Sequence, residues 1–503
     1  MAHWTRLVLP LCAAPLLGSC YFLLDYQDLQ SDQGKIAATS GGGEGGDAST
    51  SAGSGGESDV AAGGASACGD CDDHDPCTVD SCDAGGSAPQ CVNTVQQGLA
   101  LDGVDETHAA DQHIRVSLVG SGQLFYLAEM ELNKDTPKVA LYRLGTDDTA
   151  LKAIGTDLAL EGNPVSNVGL AVEELAAGEV ALHGFVATKL RVAAATPRVF
   201  HVVNRNGQTT SNLIGASYRD DAATSVTART RAFPQALTIN NKVVGAWIQA
   251  DGTIAVHNVG TAKTETFGAA NLGASTLSLL STADDMPAVM FTAQTAADSG
   301  AQGTYVETSG QNRTRVPECE TRPGAYLSSA AIATQIPGLW LANITRYGTD
   351  YLGNGNASLV CGTGACTVVP EDCKQATLGN AVRDVSGASV HFDNDKAGVV
   401  YLVLASPQVV PPQGGATAFE ARLNLGLGRV DFSVKDDKGT PVGDPQVIAS
   451  NDTTEATGFA GPDWPAVAIL PSQKVAVAWI QPNSDFSGTE LRVQRYKMCL
   501  PPP

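Results

Sequence analysis

Two stretches of this chain are nearly the same phrase, Val244-Gly-Ala-Trp-Ile-Gln249 and Val477-Ala-Trp-Ile-Gln481, each a short way downstream of a proline, Pro234 or Pro465. Both are short, apolar, rich in β-branched or aromatic side chains and free of a helical cap, which is how a buried β-strand reads. Five more runs share the shape: Leu124-Phe-Tyr-Leu-Ala128, Val180-Ala-Leu-His-Gly184, Ala288-Val-Met-Phe291, Gly338-Leu-Trp-Leu341 and Val399-Val-Tyr-Leu402. With Val243-Val-Gly-Ala-Trp-Ile248 and Val475-Ala-Val-Ala-Trp-Ile480 they recur at intervals of about 40 to 80 residues, the signature of a duplicated unit.

Each run is preceded by a candidate strand and followed by a hairpin-like segment with a polar turn. Val202-Val-Asn-Arg-Asn-Gly207, Val256-His-Asn-Val-Gly260, Tyr305-Val-Glu-Thr-Ser-Gly310 and Val434-Lys-Asp-Asp-Lys-Gly439 are examples. Four strands per unit follow. Meandering four-stranded sheets set radially leave only short edges exposed, so the pattern predicts an all-β fold, a β-propeller of about seven blades, with six or eight as the neighbouring counts. The last unit supplies only three strands, Pro465 to Pro471, Lys474 to Gln481 and Leu491 to Lys497. Its outer strand is expected from the start of the domain, with Val92 to Gln97 as donor, which would pin the two ends of the domain together.

Composition agrees with this class. The chain has 503 residues, 43% of them hydrophobic, enough for a large core. Only 6% are aromatic and 54 are glycine, which favours turns and short strands over long helices. Lys and Arg total 31 against 53 Asp and Glu, a net charge of -22, so a nucleic-acid backbone would be repelled and no nucleic-acid partner is expected.

The beginning of the chain has the order of an export signal. Arg6 supplies the cationic residue, Leu7 to Leu17 is apolar but too short and too broken by Pro10 and Pro15 to span a bilayer, and small residues follow. Leu17-Gly18-Ser19-Cys20 resembles the lipobox of bacterial lipoproteins. The resemblance covers four residues and implies cleavage of residues 1–19 and lipidation of Cys20, with two or more acyl chains for stable anchoring. Tyr21 stands where the family's inner-membrane retention signal has Asp, so an outer-membrane lipoprotein facing the periplasm or cell surface is expected. Residues 20–67 form a tether: from Ala37 to Ala67 there is little but Gly, Ser, Ala and acids, with nothing to repay the entropy of ordering. Its mean reach is ~35 Å.

A small cysteine module occupies 68–91: Cys68-Gly-Asp-Cys71-Asp-Asp-His-Asp-Pro-Cys77-Thr-Val-Asp-Ser-Cys82, closed by Cys91. So short a segment cannot build its own apolar core, and in an exported chain this spacing reads as a disulfide framework. Cys71 to Cys82 resembles the CTDC repeat of slime-mould and bacterial extracellular proteins, which implies a fold and a location but no activity. Zinc on Cys68, Cys71, Cys77, Cys82 or His74, and calcium on Asp72, Asp73, Asp75, Asp80 and Asp83, are the sharper alternatives. The second half lacks the paired spacing of a zinc ribbon, and the order of a calcium loop is absent.

The remainder, 92–503, is the propeller. With Cys12 lost and Cys20 lipidated, five module cysteines face five downstream, Cys319, Cys361, Cys366, Cys373 and Cys499. Odd plus odd requires a bond across if all are paired, and Cys499 is expected to meet Cys68 or Cys91. Cys361 and Cys366 bracket a turn, while Cys319 and Cys373 end the parallel phrases Val-Pro-Glu-Cys and Val-Pro-Glu-Asp-Cys.

No nucleophile elbow, phosphate loop, metalloprotease helix, dinucleotide fingerprint or sialidase-type acidic box occurs, so no catalytic residue, cofactor or metal is assigned. His108, Asp111 and His113, and His391, Asp393 and Asp395, are near enough in sequence to suggest ligands but sit where polar loop residues belong. The reading that results is a membrane-anchored envelope lipoprotein, a monomer, whose propeller binds or scaffolds a glycan, a peptide or another envelope protein rather than catalysing. The alternative is a propeller-fold carbohydrate-active hydrolase or lyase, its carboxylates drawn one by one from separate blades.

Overall fold

The computed structural model describes the chain from Cys68 to Leu500, except at 69, 86–87, 111–112, 134–135, 156–161, 167, 177–178, 190–194, 219–232, 270–272, 294–302, 309–311, 316–325, 334–338, 348–352, 363–364, 368–385, 392–398, 411–417, 432–439, 454–462 and 484–487. Among the described residues no helix is long and apolar enough to cross a membrane. The chain divides into two units, residues 1–96 and 97–503.

In the first unit β1 (Thr78–Asp83) and β2 (Gln90–Val95) form an antiparallel hairpin. Two disulfides staple it, Cys68–Cys82 and Cys71–Cys91, with Cα separations of 5.8 and 5.3 Å inside the normal range. Cys77 is also disulfide-bonded. Apolar burial contributes little here: Val79, Val92 and Val95 are all exposed within the hairpin's surroundings. The hairpin claims residues 92–95, so the boundary expected at Val92 moves to Gln97.

The second unit is a seven-bladed β-propeller. Strand β3 (Gly98–Ala110) leads into blade I, which holds β4 (His113–Ser121), β5 (Leu124–Asn133), β6 (Thr136–Gly145) and β7 (Lys152–Ala153). Blade II holds β8 (Asn163–Pro164), β9 (Gly169–Glu174), β10 (Val180–Lys189), β11 (Arg198–Arg205) and β12 (Gln208–Gly215), with β8 and β9 both pairing β10. Blade III is β13 (Gln235–Ile239), β14 (Lys242–Ile248), β15 (Ile254–Asn258) and β16 (Lys263–Phe267). Blade IV is β17 (Ala274–Ser281), β18 (Pro287–Ala293), β19 (Gly303–Thr308) and β20 (Asn312–Arg315). Blade V is β21 (Tyr326–Ala333), β22 (Leu339–Tyr347), β23 (Gly353–Gly362) and β24 (Ala365–Thr367). Blade VI is β25 (Ser386–Val390), β26 (Val399–Val410), β27 (Phe419–Asp431), β28 (Thr440–Pro441) and β29 (Gln446–Thr453). Blade VII is β30 (Asp463–Ile469), β31 (Lys474–Pro482) and β32 (Thr489–Cys499), completed on its outer side by β3.

The first strands, β4, β9, β13, β17, β21, β25 and β30, pack one on the next, and β30 returns to β4, so the ring closes. All seven apolar runs lie on the second strands, β5, β10, β14, β18, β22, β26 and β31. A second strand is buried on both faces, which is why it reads as a continuous run, and the two-residue period sorts its side chains between two neighbours. In β31, Val475, Val477 and Trp479 join the core shared with blade VI, while Ala476, Ala478 and Ile480 join the core shared with blade I. The cores therefore lie between blades. Glycine permits a close backbone approach at Gly169, where a Cβ would stand 2.4 Å from the Pro234 carbonyl oxygen of the next blade.

Closure uses a strand from the start of the domain, as the three-strand count of the last unit requires. The donor is β3, not Val92 to Gln97, because those residues are committed to the module's hairpin. β3 pairs β32 from Gly98↔Cys499 to Ala110↔Thr489, broken by an irregularity between Leu101 and Asp105. The expectation for Cys499 is corrected as well: it is disulfide-bonded, but Cys68 and Cys91 pair within the module. Cys361 and Cys366 face each other in the β23–β24 register. Cys319 and Cys373 lie outside the described residues, as do Cys20, the tether and Val434 to Gly439.

Candidate functional site: the loop-bearing end of the ring

Because every blade is a meander, its connections fall at two ends. At one end first strands turn into second strands, and in blades I, III and VII those turns are tight, whereas the β25–β26 connection runs over 391–398. Residues 122–123 join β4 to β5, and Asn240 and Asn241, both in the left-handed region at φ 47° and 53°, join β13 to β14. Leu470 and Lys474 close the β30–β31 turn by a 2.8 Å backbone hydrogen bond. The other end carries the crossings from second to third strand and from blade to blade. There 134–135 and 249–253 are short, but 190–197, 216–234, 294–302, 368–385 and 411–418 are longer than a hairpin needs. Long connections on a rigid ring are where binding residues are set.

Two pieces of that end are described in atomic detail. In blade III the Gln249–Thr253 connection is closed by Gln249 N to Thr253 O at 2.7 Å, and Ala274 N donates to Gly252 O at 3.2 Å, which joins it to the start of β17. The Asp251 carboxylate accepts from the Thr253 hydroxyl at 2.6 Å and the Thr253 amide at 2.9 Å. Those two hydrogen bonds, the hydroxyl's first, hold its pKa below the usual carboxylate value. This is a turn-forming aspartate.

In blade VII a polar chain runs outward from the core. Trp479 Nε1 donates to Gln481 Oε1 at 2.9 Å, and Gln481 Nε2 donates to Glu490 Oε1 at 2.6 Å. Arg492 lies 3.7 Å from Glu490 and donates to Asp105 at 2.7 and 3.0 Å. The chain alternates acceptor and donor and starts from an aromatic ring. Such a set can hydrogen-bond a hydroxyl-rich or amide-rich molecule, and each of its carboxylates already has a donor within the chain.

The residues singled out in the sequence are mostly in structural roles. His391 Nδ1 meets the Val399 carbonyl at 2.6 Å. His108 Nε2 lies 3.5 Å from Glu106, with its ring 5.3 Å from Tyr142. The side chains of Asp111, His113, Asp393 and Asp395 lie outside the described residues. In the module, Asp72, Asp73 and Asp80 stand close together. Asp73 accepts from the Asp75 amide at 2.8 Å, the Thr78 hydroxyl at 2.7 Å and the Asn93 amide at 2.8 Å, and Asp72 accepts from the His74 amide at 2.7 Å. These are turn contacts, and the disulfides consume Cys68, Cys71, Cys82 and Cys91 as zinc ligands.

Neither the Gln481–Glu490–Arg492–Asp105 chain nor the buried pair His183 and His201 was singled out in the sequence. His183 stood inside the run Val180 to Gly184, where a single polar residue is the sole hint.

No family model matches the chain, and no curated protein matches it in sequence. Solved structures resemble it. The GH93 α-L-arabinofuranosidase of Fusarium graminearum with arabinobiose is 7% identical over 80% of this chain and 97% of its own, with a TM-score of 0.41. The polysaccharide lyase Uly1 is 10% identical over 76% and 89%, with a TM-score of 0.41. The six-bladed fucose-recognising Aleuria aurantia lectin is 12% identical over 74% and 90%, with a TM-score of 0.32.

Proposed function

We propose that this protein is a cell-envelope lipoprotein that presents a binding propeller, and that its ligand, a glycan first among the candidates, is taken at the loop-bearing end. The observation that carries this reading is the asymmetry of the ring: every connection of nine or more residues between its strands, 216–234 and 368–385 above all, falls at one end. A ring whose cores lie between blades tolerates variation in such connections; Tyr218, in 216–234, is the described residue of them that packs into a seam, beside Trp247. The polar chain from Trp479 to Asp105 supplies donors and acceptors of the kind a hydroxyl-rich ligand needs. Anchoring is proposed on Leu17-Gly-Ser-Cys20, with the Gly/Ser/Ala stretch holding the propeller about 35 Å from the lipid.

The test is a glycan array and a hydrolase and lyase panel applied to the intact chain. Saturable binding without turnover is expected, and it should weaken when 190–197 and 411–417 are replaced by short turns. Turnover would replace this reading with the carbohydrate-active enzyme. Binding unaffected by the loop replacements would remove the assignment of the ligand to that end.

A further inference from the structure

The seams of the ring are not chemically alike. Blades I and II, III and IV, VI and VII, and VII and I each share one continuous apolar cluster among the described residues. Between blades II and III there are two small ones instead. Ala171, Phe185 and Val243 form one, and Ala187, Val199, Tyr218, Trp247 and Ala255 the other.

Three buried histidines share this seam. His183 Nδ1 lies 3.0 Å from His201 Nε2, His183 Nε2 lies 3.1 Å from Glu173 Oε2, and His257 Nδ1 lies 2.9 Å from the Thr264 hydroxyl. The His201 ring stacks on Phe185, and Phe185 fills the space over Gly245 of blade III. We propose that the contact between blades II and III is a proton-operated joint, in which proton uptake by the Glu173–His183–His201 chain and His257 loosens this seam before the others.

The register shows what faces these rings. From β9 it is Glu173, since Glu174 pairs Val180 on the opposite face. From β10 the same face carries Lys189 at its far end, and from β11 it carries Arg205, paired at 3.5 Å with Glu179 at the rim. β12 has no titratable residue, and Tyr218 follows it beside Trp247. Among the described residues of blade III only His257 faces them: Glu265 pairs Val256, and Lys242 pairs Ile239, both in the core shared with blade IV. Among the described residues Glu173 is thus the one carboxylate bonded to these imidazoles, through His183.

The neutral state is fully bonded when His201 Nε2–H donates to His183 Nδ1 and His183 Nε2–H donates to Glu173. A first proton is accommodated by moving the shared hydrogen to His183, whose charge then rests on Glu173. A second proton would set two N–H groups head to head across 3.0 Å. Burial, the largest cause at each, pushes all three histidines below their ordinary value, His201 to about 4.

Once the blades part, the rings return toward 6.5. The stabilisation is thus complete above about pH 6.5 and is lost as pH falls toward 4. His201 alone changes the opening equilibrium by up to about tenfold per pH unit, and by about 15-fold between pH 6.5 and 5.0.

Hydrogen exchange of the intact chain, corrected for intrinsic rate, measures this directly. Between pH 7.0 and 5.0 the β11 and β15 amides should lose at least about 20-fold more protection than those of β5, whose seam with blade II holds no histidine among the described residues. His201→Phe should flatten the difference, with His257→Gln as the second variant should the first not fold. Protection of β11 and β15 that falls in step with β5, or imidazole resonances that titrate near 6.5 in the folded chain, would overturn the joint.

Discussion

Replacement of Arg495 by methionine should weaken the ring at its closure by about 3 to 5 kcal/mol. Arg495, only 6% exposed, sits on β32 where the last blade meets the donor strand and the first blade. Its Nε donates to the Asp102 carbonyl and carboxylate, each at 3.2 Å, and one terminal nitrogen donates again to the Asp102 carbonyl at 3.0 Å. The other donates to the carbonyls of Gly145 and Asp148, at 2.7 and 3.0 Å, in the turn that ends β6. One guanidinium thus ties β3, β32 and blade I together. Hydrogen bonds from a charged donor are worth ~1.5–3 kcal/mol each and are not additive. The estimate therefore rests on the cost of breaking a buried pair. Asp102 keeps Lys474, which limits the loss.

Urea unfolding reads the effect, followed by tryptophan fluorescence, because Trp247 and Trp479 are each 1% exposed and report on seams on opposite parts of the chain. The midpoint should fall with an unchanged slope, coincident with the far-ultraviolet transition. Arg495→Lys should recover roughly half, since an ammonium does not span both partner sets. A double-mutant cycle with Asp102→Ala should give a coupling of about 1–3 kcal/mol. A loss below about 1 kcal/mol for Arg495→Met, or zero coupling, would refute the closure reading.

Gly245→Ala should destabilise by about 2–3 kcal/mol, because its Cβ would stand 2.0 Å from Phe185 Cε1, and Phe185→Ala in the same chain should relieve the clash; thermal unfolding of the three variants checks both. Cys20→Ser should move the protein from the membrane to the soluble fraction, and retention on the membrane would count against the lipid anchor. Mapping of unreduced peptides should recover Cys68 linked to Cys82 and Cys71 linked to Cys91, and a free thiol at any of the four overturns that pairing.

The repeat was legible because a propeller's second strand is buried on both faces and so keeps an unbroken apolar run, as Val475 to Ile480 does. The donor strand was not. β3 carries Asp102, Gly103 and Asp105 in its middle, the alternation fails where the ladder is interrupted, and Leu101 on it is half exposed. Its place is set by a partner near the far end of the chain, which no local pattern encodes. The same holds for the candidate site. Asp105, Gln481, Glu490 and Arg492 meet only because closure brings the two ends of the domain side by side, and His183 and His201 only because β10 and β11 are in register.

That dependence on closure bears on function. The polar chain from Trp479 to Asp105 is assembled from β31, β32 and β3, so it exists only in the closed ring. Arg495, three residues beyond Arg492 on the same strand, holds β3 against β32 from the other face of the blade. Stability of the last seam and the geometry of this part of the loop-bearing end are therefore coupled through one pair of strands. The joint between blades II and III is built from β9 to β11 and β14 to β15 and shares none of these residues. Acid should thus loosen one side of the ring while leaving the polar chain of blade VII assembled, and a ligand held by that chain should remain bound at a pH where β11 and β15 have already lost protection.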